Sequence, residues 1–160
     1  MKVTFTNFSG LKIIQSKTYK DNRGFVKESY KQKNFKNKDF IFGIISSSKK
    51  NVLRGLHLQT KFKQAKYVSV LKGAILDVVL DLRKGSKTFG KHFKVILSAN
   101  NNKSLFIPAG FAHGFLALDT ENIIFYGNDN YRSANNEITI SWDDPNVNIK
   151  WPSGKKNNFK

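Results

Sequence analysis

Arg54, His57, Gln59 and Lys66, side chains able to act on a proton or an anion, lie close together within Asn51–Val68. Leu56 and Leu58 flank His57, so in a strand the leucines face one way while His57 and Gln59 face the other. A second stretch, Ile107–Phe115 (IPAGFAHGF), carries His113, and Tyr126 stands near the end of the run NIIFYG. Imidazole titrates near neutral pH and suits a general base. Lysine is a fixed cation able to stabilise a developing negative charge. Tyrosine can supply a proton. Such a set suits proton transfer to and from a bound substrate. Each residue alone has a plainer reading: a histidine between leucines is more often structural. His113 could merely hydrogen-bond a turn, and Tyr126 could be an ordinary barrel-mouth aromatic.

The chain that must position these groups has 160 residues, a usual size for one core, and its fourteen phenylalanines can fill it. It has no cysteine, which excludes disulfides and thiolate metal sites. No apolar run approaches membrane-spanning length, and MKVTFTNFSG has no signal-peptide core. A cytoplasmic protein that makes no membrane contact is expected. The formal charge is +17, almost all from lysine, since only Arg23, Arg54, Arg83 and Arg132 are arginines. No nucleic-acid motif accompanies the charge, and the lysines are scattered among asparagines. We read them as a solvated surface with no specific nucleic-acid partner, whose field favours a small molecule bearing a diphosphate.

The elements read as strands and turns. Met1–Gln15 fits one or two edge strands, and Asp21–Gly24 is a turn. A strand follows at Phe25–Tyr30, then a loop or short helix over Lys31–Lys38, then a buried strand at Phe40–Ser48. Within Tyr67–Leu82, Lys72-Gly73 divides two alternating runs and predicts a hairpin. Val78, Leu80 and Leu82 face one side of the second run, Asp77, Val79 and Asp81 the other. Asp81 and Arg83 are placed to pair at the strand end. Further strands are expected at Phe89–Ser98, Ser104–Ile107, Gly114–Leu118, Asn122–Gly127, Ile138–Trp142 and Val147–Trp151. Many short strands and no amphipathic helix predict an all-β sandwich or barrel.

Five segments, DNRGFVKESY, RGLHLQ, AKYVSVLKGAILDVVLDLRKGSKTFGK, IPAGFAHGF and WDDPNVNIKWP, occur in this order between Lys20 and Pro152. In motif and spacing the chain resembles the dTDP-4-dehydrorhamnose 3,5-epimerase family. The resemblance implies an all-β fold with little helix, the double-stranded β-helix jelly roll of the cupin class. It agrees with one domain over residues 1–160, and the polar tail 152–160 is expected to fray. The implied reaction is epimerisation at C3 and/or C5 of a 4-keto-6-deoxyhexose nucleotide sugar, foremost dTDP-4-dehydro-6-deoxyglucose to dTDP-4-dehydrorhamnose. His57 matches the family's base, Tyr126 its proton donor, and Lys66 stands to stabilise the enolate. Arg54, Gln59, His113 and Glu137 would surround the substrate, and Arg23 and Glu28 would contact its nucleotide.

The resemblance also implies a homodimer in which N-terminal strands join the partner's sheet. No cofactor is expected and no metal, since His57 lacks the second histidine two residues on that metal-holding cupins carry. Two departures stand out. Phe42, Gly43 and Ile44 occupy the place of a polar Gln-Asp-Asn-like trio that helps hold the nucleotide. After IKWP the chain reads SGKKNNFK, where the family continues Ser-x-Lys-Asp with the aspartate orienting the catalytic histidine. Asp77 or Asp81 is then the expected carboxylate for His57. A sugar-nucleotide-binding cupin without catalysis, or an epimerase or ketoisomerase of another nucleotide sugar, is the alternative.

Overall fold

Short alternating runs bury their apolar faces by pairing into sheets that pack on one another. The computed structural model describes residues 1–35, 39–152 and 157–158. One sheet has the spatial order β1 (Lys2–Phe5), β2 (Lys12–Gln15), β10 (Lys103–Ile107), β7 (Lys66–Lys72), β12 (Glu121–Asn128), β5 (Phe42–Lys49). The other has the order β13 (Glu137–Thr139), β6 (Val52–Gln59), β11 (Phe111–Ala117), β8 (Ala74–Asp81), β9 (His92–Ser98). From β5 to β8 every link crosses between the sheets, and so do the links from β9 to β13. This is the jelly-roll architecture expected, all-β, with helix limited among the described residues to 3-10 turns at Gln32–Asn34 and Ala134–Asn136. β3 (Thr18–Asp21) and β4 (Gly24–Lys27) form a hairpin of their own.

The main core lies between the sheets. Val68, Val70, Leu105 and Ile124 from the first meet Ile75, Val79 and Phe115 from the second. Each such fully buried side chain contributes roughly 1.5–3 kcal/mol. The outer faces are covered by local chain. Phe35 joins Ile14, Tyr67 and Phe106 over the first sheet. Ile149 packs on Leu56, Val78 and Leu80 over the second.

Several expectations change here. Lys72-Gly73 does not make a hairpin, because β7 pairs with β10 and β12 while β8 pairs with β11 and β9. The link is Gly73 alone, at φ 77°, and a Cβ there would lie 2.3 Å from the Glu121 carbonyl oxygen. Only glycine can carry the chain from one sheet to the other at that point. The strand expected as buried over Phe40–Ser48 is instead the edge strand β5, with Ile45 65% exposed. Among the described residues it has a single neighbour, β12. Met1–Gln15 forms two strands, but only β1 is an edge, since β2 lies between β1 and β10. Val147–Trp151 is not a strand; it leaves a turn and is tied back by Trp151 Nε1 donating to the Trp142 carbonyl at 2.8 Å. Asp81 and Arg83 do pair, at 2.7 Å. Lys31–Lys38 and the tail 152–160 lie partly outside the described residues. Of that tail, Asn157–Asn158 form the short strand β14, parallel to β6.

Candidate active site

Residues of both sheets line a cavity of about 810 Å³. Its walls follow from strand register. On the second sheet Val79, His113, His57 and Thr139 stand directly opposite one another across β8, β11, β6 and β13. Directly opposed residues share a face, so one row brings both histidines and a hydroxyl to the cavity. On the first sheet Lys66 (β7) stands opposite Asn128 (β12), with Tyr126 two residues along β12 and therefore on the same face. His57 and His113 thus line one wall, Lys66 and Tyr126 the facing one.

Two glycines allow that geometry. A Cβ on Gly55 would sit 2.4 Å from Gly114 Cα, and one on Gly114 would sit 2.5 Å from the Arg54 carbonyl oxygen. β6 and β11 touch backbone to backbone there, beside a register shift between His113 and Phe115. Side chains at this crossing would push apart the strands that carry Arg54, His57 and His113.

His57 is half-buried. Its Nδ1 lies 3.0 Å from Thr139 Oγ1 and 3.9 Å from Glu137 Oε1. Burial holds the imidazole below its ordinary pKa; Glu137 opposes this, while Lys66, His113 and Arg132 add to it. Burial also lowers the ammonium pKa of Lys66, with Glu137 opposing. Glu137 accepts from Arg132 Nη2 at 3.0 Å and from its Nε at 3.3 Å, and these bonds hold its carboxyl below the usual range. Tyr126 is raised well above the ordinary phenol value by burial, so it stays protonated. Its hydroxyl lies 3.2 Å from Ser46 Oγ, and its ring meets His113 edge-on. Arg54 donates from Nε to Ser48 Oγ at 3.0 Å and from Nη2 to the Ser47 carbonyl at 3.3 Å.

His113 is only 6% exposed, and its Nε2 lies 2.8 Å from Asp77 Oδ2. Asp77 was expected behind His57. It meets His113 instead because β11 lies between β8 and β6, which leaves His57 one strand too far away. Asp81 is also committed elsewhere: it accepts from Arg83, Ser86 and Thr88, and these bonds hold its carboxyl far below the usual range despite burial.

Arg54, His57, Lys66, His113, Tyr126 and Glu137 all line the cavity. Three other sequence candidates do not. Gln59, 4% exposed, spends its amide on backbone, donating to Phe62 O at 2.8 Å and accepting from Ser133 N at 2.7 Å. It anchors the loop after β12. Arg23 is exposed and paired with Asp21 at 2.6 Å, and Glu28 is paired with Lys31 at 2.7 Å. Sequence reasoning missed Ser46, Arg132 and Thr139. The signal for Thr139 was present in EITIS, where Glu137, Thr139 and Ser141 alternate with isoleucines and so share one face. Among the described residues no three His, Cys, Asp or Glu side chains converge to hold a metal, and no helix is long and apolar enough to cross a membrane.

Two facing sheets in jelly-roll order, with proton-transfer groups on both walls of one cavity, define a cupin-class enzyme. Residues 5–159 match the family model for dTDP-4-dehydrorhamnose 3,5-epimerase. The chain is 42% identical to the dTDP-4-dehydrorhamnose 3,5-epimerase of Shigella flexneri over 158 residues, 95% of this chain and 87% of that protein. It superposes at TM-score 0.95 and 40% identity on the dTDP-6-deoxy-D-glucose-3,5-epimerase of Legionella pneumophila, solved with dTDP-4-keto-L-rhamnose, covering 99% of this chain and 87% of that one. A 3′-monoepimerase from Streptomyces bikiniensis, solved with dTDP-quinovose, matches at TM-score 0.88 and 28% identity over 97% of this chain and 81% of that one. The chain belongs to the dTDP-4-dehydrorhamnose 3,5-epimerase family of isomerases.

Proposed function

We propose that this protein converts dTDP-4-dehydro-6-deoxyglucose to dTDP-4-dehydrorhamnose by inverting C3 and C5 beside the ketone, with no cofactor. The observation that carries this reading is the division of His57 and Tyr126 between facing walls. Inversion removes a proton from one face of a carbon and delivers one to the other, so acid and base must stand on opposite sides. His57 takes the C–H proton, and the electron pair moves onto the ketone oxygen as an enolate. Lys66 stabilises that charge, an effect large in a water-poor site. Tyr126, still protonated, returns a proton to the opposite face, and proton exchange with solvent restores both groups. Arg54 and Arg132 add positive charge for the diphosphate, and Arg54, His113 and Glu137 bound the sugar.

The molecule is further read as a cytoplasmic homodimer. Among the described residues the β3–β4 hairpin pairs with no other strand, and it exposes Tyr19, Phe25 and Val26, which a second copy would cover. Arg23 and Glu28 lie outside this chain's own cavity. Their proposed contact with a nucleotide is therefore with one bound to the partner. Light scattering at twice the chain mass supports this, and a monomer at working concentration refutes it.

The deciding experiment incubates the 4-keto nucleotide sugar with the protein in deuterated water and follows each carbon by NMR. Deuterium at C3 and C5 with formation of the rhamno product is expected. Binding of the nucleotide sugar with no exchange at either carbon would leave a binding protein instead.

A further inference from the structure

We propose that the Thr139 hydroxyl is the positioning group of His57, accepting its Nδ1 proton so that Nε2 keeps the lone pair that takes the substrate proton. The proposal rests on the reading of His57 as base.

The argument begins with register. Thr139 stands directly opposite His57 in the β13–β6 pair, on the side away from His113. Its Oγ1 lies 3.0 Å from Nδ1, within hydrogen-bond range. A neutral imidazole has one N–H and one bare nitrogen, and the partner of one nitrogen decides which is which. A hydroxyl can accept or donate. The nearby carboxylate decides against donation to a bare Nδ1. Glu137, at 3.9 Å from Nδ1, is held ionised by Arg132, and its negative charge favours a proton on the nitrogen beside it. With Nδ1 protonated, Oγ1 is the acceptor.

The charged and titratable groups facing His57 are Glu137 on its own sheet edge, Arg132 in the preceding loop, His113 on β11 and Lys66 on the facing wall. Three of these four disfavour the imidazolium. A carboxylate bonded directly to Nδ1 would counter them strongly; a hydroxyl counters them weakly. The arrangement fixes the ring without adding a full negative charge. It thus leaves a base that is neutral, and competent, at neutral pH.

The test uses the whole protein with ¹⁵N-labelled histidine. NMR of the free wild type at neutral pH should show His57 protonated at Nδ1 and bare at Nε2. Thr139→Val, an isostere at an exposed strand-edge position, should move the ring toward the other tautomer and slow C3 exchange about tenfold. Thr139→Ser should restore both. A wild-type His57 protonated at Nε2, or a valine variant unchanged in tautomer and rate, would overturn the proposal. Should valine disturb the strand, Thr139→Ala read by the same tautomer signal decides in the same way. A wild type with the predicted tautomer and no exchange would sink the proposed function while leaving this assignment standing.

Discussion

His57 and His113 are neighbours on adjacent strands and face one cavity, yet they are built differently. His113 is sealed beneath Tyr126 and bonded to Asp77, a carboxylate with no exposure at all. His57 is half-open and bonded to a hydroxyl, with a carboxylate set back at 3.9 Å. A buried histidine–carboxylate hydrogen bond fixes the ring's orientation, because neither partner can turn to water instead. A half-solvated ring whose charged form is disfavoured can gain and lose a proton without dismantling its surroundings. The difference is in keeping with the division of labour proposed above, in which His113 holds the wall and His57 carries the proton.

The largest expected effect falls on the sealed histidine. His113→Ala leaves Asp77 buried, and its Oδ1 already has no hydrogen-bond partner among the described residues. Leaving a buried hydrogen-bonding group without its partner costs about 1–3 kcal/mol, so the urea midpoint of this variant should fall. His57→Ala should hardly move the midpoint, since that ring is half-exposed and its partner hydroxyl can turn to water. It should instead lower deuterium exchange by at least ~100-fold, the contribution of a general base. Equal destabilisation by the two variants, or exchange that survives in His57→Ala, would break the contrast.

Both histidines were legible in sequence, and for a local reason. RGLHLQ places His57 on the face opposite its flanking leucines in a short alternating run, while IPAGFAHGF offers His113 by residue type, since Phe111 and Phe115 are its neighbours on the same face. The all-β class was legible for the same reason. The histidines' partners were not. Whether Asp77 reaches His57 or His113 depends on β11 lying between β8 and β6, a pairing between segments far apart in sequence. The hairpin expected at Lys72-Gly73 failed likewise: a glycine marks a change of direction, not which strand will be the neighbour. The apolar run before Ser48 looked buried because composition does not reveal a sheet edge. Gln59 was read as a ligand because its face is right, but its amide is consumed by the backbone of a loop more than seventy positions later.

The smallest effect tests whether charge reaches His57 only from a distance. Glu137 raises the imidazole pKa, against burial and the surrounding cations. Glu137→Gln removes that support and frees the Arg132 guanidinium that Glu137 now neutralises. Both changes disfavour the imidazolium, so the pKa of His57 should fall further below its ordinary value. Arg132→Gln removes a cation and leaves the carboxylate unshared, so the pKa should rise. At 3.9 Å, across a half-open gap and with the carboxylate shared with Arg132, the charge is worth up to about 1 kcal/mol. Each shift should therefore stay under about one pH unit. The free protein's His57 ring, followed by NMR through the titration, reports this without any need for turnover. In the pH profile of kcat/KM the same change appears as displacement of the acid limb, toward lower pH for Glu137→Gln and higher pH for Arg132→Gln, because the neutral ring is the active form. A shift of several units for Glu137→Gln would mean that the carboxylate bonds directly to the ring, as in the Asp77–His113 pair. Shifts of the same sign in both variants would mean that neither charge is sensed at His57.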